Sequence, residues 1–252
     1  MRTVMIVGEA QPPEGVHTKG VARVIAGEAG GRRLAVPAGR DTRPTSDRAR
    51  EGLFATISSV FGSLDGARVI DLYAGSGAVG LEALSRGAEH VLLVENGARA
   101  ARVITQNIEA IGLPGAVLAA DRVERVLARG PAPAGVQDGA AQGRAGGQDS
   151  TAPGCAGVQD GAAQGRYDVV FADPPYALAD AEVARVLSLL AERDWLAPGA
   201  LVIVERATRS GPVSWPDGFV PDRARRYGEA TFWYGLVPEA RETTESAGDR
   251  VR

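Results

Sequence analysis

Residues 69–80 read Val69-Ile70-Asp71-Leu72-Tyr73-Ala74-Gly75-Ser76-Gly77-Ala78-Val79-Gly80. A short apolar run ends in a glycine-rich turn that opens onto a helix-forming stretch, which is the pattern of a strand–turn–helix unit. Gly75, Gly77 and Gly80 have the dinucleotide spacing, and glycine at such a turn lets a ligand approach the backbone closely. Working outward, strands are predicted at 68–72, 90–95, 116–120, 167–172 and 200–205, and helices near 78–87, 97–111, 121–129 and 180–193. Alternation of this kind implies βαβ units and a mostly parallel sheet. Residues 224–229 and 230–237 have no helix between them and are expected to form a closing antiparallel hairpin. The fold class is therefore α/β.

Three acidic residues lie in or just after the strands of this unit. Glu95, beside Asn96, ends the second strand, where a carboxylate can accept two hydrogen bonds from a ribose diol; a carboxylate at a helix N-terminus would look the same. Asp71 lies within the first strand, two residues before the turn, where a buried carboxylate can orient a cationic group. Asp121 follows the third strand and reads either as an acceptor for an adenine amino group or as a helix N-cap. A nicotinamide or flavin dinucleotide fits the glycine spacing alone. The carboxylates, with no His or Lys placed for hydride transfer, favour S-adenosylmethionine.

A second signal is Asp173-Pro174-Pro175-Tyr176, which follows the apolar run of residues 167–172. Two prolines fix φ and remove backbone donors, so the turn after Asp173 is stiff. It offers a carboxylate, proline carbonyls and a ring face at the carboxyl end of a strand, where open α/β sheets bind ligands. A planar base bearing an exocyclic NH₂ suits such a place. The plainer reading is an Asp-Pro turn that ends the strand and caps a helix.

Bulk composition narrows the class. The chain has 252 residues, 44% of them hydrophobic, enough for one full core. No stretch of about 18 apolar residues suggests a membrane span. One cysteine, Cys155, and two histidines, His17 and His90, argue against disulfides, a cysteine-based zinc site or His-based metal chemistry, so no metal is expected. A cytoplasmic enzyme is the expectation. Net charge is −3, yet residues 20–50 hold seven arginines against Glu28, Asp41 and Asp47. Arg23, Arg32, Arg33, Arg43, Arg48 and Arg50 are candidate phosphate contacts, the alternative being a solvated face with local ion pairs. Within this region residues 21–37 read as two short strands around a glycine-rich turn. A helix starts near Ser46, with Leu53, Ile57 and Phe61 as its apolar stripe and Arg48 and Arg50 facing outward. Trp195, Trp215 and Trp233 read as packing residues.

One segment breaks the pattern. AGVQDGAAQGR at 134–144 recurs unchanged at 156–166, in a stretch rich in Gly and Ala without Leu, Ile, Met or aromatic residues. Such a stretch cannot bury enough apolar area to offset its ordering entropy, and it reads as a duplicated low-complexity insertion of about 131–165 in a surface loop. Residues 1–20 read as a flexible leader, 21–62 as an N-terminal extension, 63–237 as the main domain and 238–252 as a disordered tail.

Taken in order, residues 71–77, Glu95, Asp121 and the Asp-Pro-Pro-Tyr tetrapeptide resemble the class I amino-methyltransferases, and more closely the RsmD-type guanine-N2 methyltransferases of small-subunit ribosomal RNA. Blocks at 23–27, 31–34, 43–51 and 80–88 extend the similarity, which spans about 21–130 and 166–237. The resemblance implies a Rossmann-like methyltransferase domain. S-adenosylmethionine would lie against Asp71, Tyr73, Ala74, Gly75, Ser76, Gly77, Glu95, Asn96 and Asp121. The chemistry would be centred on Asp173, Pro174, Pro175 and Tyr176. The extension would meet 16S ribosomal RNA within an assembling 30S particle. A DNA amino-methyltransferase and a non-catalytic RNA-binding relative are the alternatives; the former shares both key motifs but would be expected to carry a larger target-recognition domain.

Overall fold

The computed structural model describes residues 21–37, 46–131 and 165–239. The leader, most of the insertion, nearly all of the tail, and Arg43 lie outside the described residues. The chain begins with an antiparallel hairpin, β1 (Val21–Arg23) and β2 (Arg33–Ala35), followed by helix α1 (Asp47–Val60). Helix α1 starts beside Ser46, where the sequence led us to expect, and Ser46 caps it by accepting the Ala49 N–H at 3.2 Å. Strand and helix then alternate as β3 (Arg68–Leu72), α2 (Ala78–Ser85), β4 (His90–Val94), α3 (Ala98–Ile111), β5 (Ala116–Ala119), α4 (Val123–Arg129), β6 (Tyr167–Ala172) and α5 (Asp180–Glu192). Strands β7 (Leu196–Ala207), β8 (Val220–Tyr227) and β9 (Ala230–Leu236) complete the fold.

The main sheet has seven strands in the order β5-β4-β3-β6-β7-β9-β8; β9 runs antiparallel to both its neighbours and the remaining pairs are parallel. Both faces are covered, which is why the central strands read as near-continuous apolar runs rather than as alternation. On one face Val69, Phe171, Ile203 and Phe232 pack with residues of α1, α2, α3 and the N-terminal hairpin. On the other, Ile70, Val170, Val202 and Trp195 pack with α4 and α5. From β3 the chain moves outward through β4 to β5, then returns to place β6 on the opposite side of β3. The boundary between β3 and β6 is therefore the topological switch point, and the carboxyl ends of strands at such a point are where open α/β sheets bind ligands.

Two boundaries differ from the sequence reading. The closing hairpin begins at Val220 rather than 224, and its first strand stops at Tyr227 because Gly228, at φ +64°, makes the turn. Pro221 is accommodated because β8 is the sheet edge. Strand β7 starts at Leu196, four residues early, since Pro198 and Gly199 fall at a register shift against β6 between Tyr167 and Val169.

The largest correction concerns Arg50. Rather than facing outward it is fully buried, and its Nη2 donates to the Arg23 carbonyl at 2.6 Å and to Asp47 Oδ1 at 2.8 Å. Burial lowers its pKa, an effect that outweighs the nearby Asp47 and Glu82 carboxylates. Among the described residues its Nε and Nη1 have no partner.

Candidate active site

Two turns leave the carboxyl ends of β3 and β6 at the switch point. After β3 the chain enters the left-handed region at Tyr73 (φ +61°), Gly75 (φ +59°) and Gly77 (φ +77°), and α2 begins at Ala78. The Gly77 N–H closes the turn onto the Ala74 carbonyl at 2.7 Å, and the Ala74 N–H reaches the Val94 carbonyl of β4 at 3.0 Å. The three glycines have different reasons. A Cβ at Gly75 would meet nothing closer than 4.0 Å, so this glycine leaves open space for a ligand. One at Gly80 would lie 2.7 Å from Leu93 Cδ2 and 2.8 Å from Val91 Cγ1, so Gly80 lets α2 pack against β4. A Cβ at Gly77 would be tight against Leu93, at 3.3 Å.

Carboxylates converge on this turn. Glu95 accepts the Gly75 N–H at 2.9 Å through Oε2 and the Gly97 N–H at 2.6 Å through Oε1, which fixes its side chain beside the glycines. Asp71, buried, accepts the Gly80 N–H at 2.8 Å. Burial pushes the Asp71 carboxyl up to about 7 against the lowering effect of that bond, and the negative charges of Asp173 and Glu95 add to the rise. Asp173 is likewise pushed up to about 7 by desolvation. Such a group of acids favours a cationic ligand, and the residues present fit one that carries an ammonium and a sulfonium. Asn96 is exposed beside Glu95, while Ala74 and Ser76 are buried in the turn.

Asp121 and Tyr73 are less simply placed. Asp121 Oδ1 accepts from the Arg122 N–H at 2.8 Å and from Arg125 at 3.2 Å, and its Oδ2 from Arg129 at 2.7 Å. The Arg122 backbone bond, then the two arginines, lower its pKa. Its oxygens thus serve both ends of α4, the Arg122 N–H before it and Arg129 at its close, although the N-cap itself is Arg122 rather than Asp121. The Tyr73 ring packs toward α4 and α5, and among the described residues its buried hydroxyl has no partner.

The second turn leaves β6. The Asp173 N–H extends the ladder to the Leu72 carbonyl at 3.3 Å, holding this residue beside the end of β3. Asp173 is half-buried, Pro174 buried, and Pro175 and Tyr176 exposed, Tyr176 to 47%. The Leu178 N–H closes onto the Pro175 carbonyl at 2.8 Å, so the turn is tied through Pro175 rather than Pro174. Arg206, missed by sequence reasoning, holds the far side of the turn. Buried at the end of β7, its Nη2 donates to the Leu178 carbonyl at 3.0 Å and to Asp180 at 2.8 Å.

Of the remaining arginine candidates, Arg23, Arg32, Arg33 and Arg48 are exposed on one part of the surface. Arg23 pairs with Asp47 at 3.1 Å, and Arg32 donates to the Ile111 carbonyl at the end of α3. Sequence reasoning also missed three buried polar residues, Glu82, Ser85 and Asn107. Each lies among apolar neighbours at helical spacing, a signal present in the sequence: Ile104, Asn107, Ile108 and Ile111 form one stripe of α3. All three bind the backbone of the extension. Glu82 accepts the Ile25 and Ala26 N–H groups at 2.6 and 3.0 Å, and Ser85 Oγ donates to the Ala26 carbonyl and accepts from Ala29 N–H. Gly27 (φ +83°) is required where they meet, since a Cβ would lie 1.7 Å from the Ser85 carbonyl oxygen.

A mostly parallel sheet with a closing hairpin, a glycine turn after β3 and an Asp-Pro-Pro-Tyr turn after β6 has the architecture of the class I methyltransferases. A known structure of the Escherichia coli protein yhhF matches it with a TM-score of 0.66 at 25% identity, covering 88% of this chain and all of that one. Residues 22–135 and 155–235 match the model of the family described as Conserved hypothetical protein 95. Ribosomal RNA small subunit methyltransferase D of Escherichia coli (strain K12) is 30% identical over 200 residues, 78% of this chain and 82% of that protein. Its namesake in Haemophilus influenzae is 30% identical over 203 residues, 81% and 87% of the two chains. YlbH of Bacillus subtilis (strain 168) is 44% identical over 91 residues, which are 36% of this chain and 48% of that protein. The chain belongs to this family, that of ribosomal RNA small subunit methyltransferase D.

Proposed function

We propose that the chain transfers a methyl group from S-adenosylmethionine to the exocyclic N2 of a guanine in small-subunit (16S) ribosomal RNA. The observation that carries this reading is the side-by-side placement of the Asp173 turn and the acidic glycine turn at the switch point, in a member of this family. Asp71 and the turn at 73–77 would hold the amino-acid end of the cofactor, Glu95 the ribose, and Asn96 and Asp121 the base side. When bound, the cofactor supplies an electrophilic methyl group on a sulfonium. The guanine amine is a poor nucleophile because its lone pair is delocalised into the ring. The Asp173 carboxylate and the Pro174 carbonyl accept its two N–H bonds, which favours a pyramidal nitrogen with its lone pair facing the glycine turn. The gain comes from positioning and preorganised acceptors, and Asp173 need not remove a proton before transfer. Pro175 and the Pro174 ring keep that carbonyl and carboxylate in register, and Tyr176 stacks on the presented base.

Arg23, Arg32, Arg33 and Arg48 would contact RNA phosphates, with Arg43 of the same block joining them, and the assembling 30S particle in the cytoplasm would be the setting. No helix among the described residues is long and apolar enough to cross a membrane, and none of their His, Cys, Asp and Glu side chains group as a metal site. The test is incubation with labelled S-adenosylmethionine and, separately, immature small-subunit particles, naked ribosomal RNA and duplex DNA, with digested nucleosides identified by mass. Label in N2-methylguanosine from the RNA arms is expected. Label in a methylated adenine or cytosine of DNA would overturn the substrate assignment.

A further inference from the structure

The N-terminal hairpin and the glycine turn are joined through one side chain. Asn107, on α3 and only 2% exposed, accepts the Ala35 N–H of β2 at 2.8 Å and returns a bond from Nδ2 to the Ala35 carbonyl at 3.0 Å. The same Nδ2 donates to the Ser76 carbonyl at 2.8 Å, between the two left-handed glycines of the turn. An amide is the only side-chain type that can give a donor to two carbonyls and an acceptor to an N–H at one point. A buried leucine would fill the place and leave all three backbone groups unpaired; an aspartate would set a carboxylate against both carbonyls. Two residues before Ala35 stands exposed Arg33, and beside it Arg32 is bonded to the end of α3, so a load on these arginines reaches β2 directly.

We infer that Asn107 is a positioning residue that couples substrate seated on the extension to the cofactor turn, so that RNA and S-adenosylmethionine bind with positive cooperativity. The inference rests on the function proposed above. The structure supplies a connected route: phosphate on Arg32 and Arg33 steadies β2, Asn107 carries the restraint to the Ser76 carbonyl, and Gly75 and Gly77 lose freedom that cofactor binding would otherwise have to remove. Coupling of this kind is reciprocal, so cofactor bound at the turn steadies the hairpin in return.

The experiment measures the S-adenosylmethionine dissociation constant of the full chain by equilibrium dialysis, with and without immature small-subunit particles. Wild type, Asn107→Asp and Thr105→Ala are compared, each well below its own melting temperature. Thr105 lies on the same helix and bonds only within it, to the Ala101 carbonyl, so its variant controls for disturbance of α3. Particles should tighten cofactor binding about fivefold or more in wild type and Thr105→Ala. In Asn107→Asp the enhancement should vanish. Unchanged affinity in wild type, or an enhancement that survives in Asn107→Asp, would overturn the coupling. Failure of wild type to bind the cofactor in either condition would overturn the functional reading instead. A measurement that needs no variant runs in parallel: adding the cofactor to wild type should slow hydrogen exchange of the Ala35 amide, and an unaltered rate there refutes the inference even if Asn107→Asp does not fold.

Discussion

The turn after β3 and the turn after β6 leave adjacent strands at the same end of the sheet, yet they are built oppositely. The first has glycine at two positions, Gly75 and Gly77, and adopts backbone angles that other residues rarely reach. The second is proline at two positions and has little freedom to lose. The first is held from outside, by Glu95 and Asn107 bonding to its backbone. The second is held from behind, by the Leu72 ladder and the buried Arg206 guanidinium. A cofactor that must be enclosed calls for a backbone that can come close; a base that must meet a methyl group calls for acceptors that do not move. On the function proposed above, the contrast would separate binding from chemistry along the line between β3 and β6.

The sharpest way to break this division is Asp173→Ala. We expect methyl transfer to fall by about a thousandfold, in the range seen when one preorganised polar group is lost. Cofactor affinity by calorimetry should stay within about threefold, because the glycine turn is untouched; equal loss of both would erase the distinction. Gly80→Val attacks the other turn through packing. Its side chain would press on Leu93 and Val91, costing about 1–3 kcal/mol of folding stability in urea titration and weakening cofactor binding. Arg206→Met frees the outer arm of the proline turn. A stability loss of about 1–3 kcal/mol is expected, with kcat reduced and cofactor affinity retained.

Asp71 and Asp173 also make the site sensitive to pH. Both carboxyls lie near 7 when folded against an unfolded value near 4, so the folded chain binds more protons between these limits. Stability without ligand should therefore fall as pH rises from about 4 to about 7 and level off above. Thermal melts across this range, repeated with Asp71→Asn, should show the slope reduced in the variant; an equal slope in both would remove Asp71 as its source. The smallest change expected is Tyr176→Phe. If the ring contributes by stacking, RNA affinity should shift by less than about twofold, whereas Tyr176→Ala removes an interaction of about 1–3 kcal/mol.

Much of this was legible in the sequence. The runs at 68–72 and 167–172 are apolar on both faces and bounded by turn residues, and their limits match the strands seen. Asp173 and the glycines could be found because a motif residue sits at a fixed place relative to its strand. The residues that tie the extension down were missed for one physical reason. Arg50, Glu82 and Asn107 occupy apolar stripes of their helices, and a polar side chain there is usually read as pointing away. Arg50 is spaced three, four and seven residues before Leu53, Phe54 and Ile57, so periodicity already placed it inside while its charge argued for the surface. What settles such cases is a backbone from elsewhere in the chain. Residues 23–35 bring unpaired N–H and C=O groups onto these stripes, and buried polar side chains answer them. That partner is distant in sequence and leaves no local trace.

The connection between α4 and β6 begins and ends at the amino edge of the sheet. The duplicated eleven residues fall within it, with only their last two positions among the described residues. The described ends of that connection lie at the edge of the sheet away from the Asp173 turn. For an engineer the same connection is a port: a fluorophore, an affinity peptide or a purification handle spliced there should leave methyl transfer unaltered.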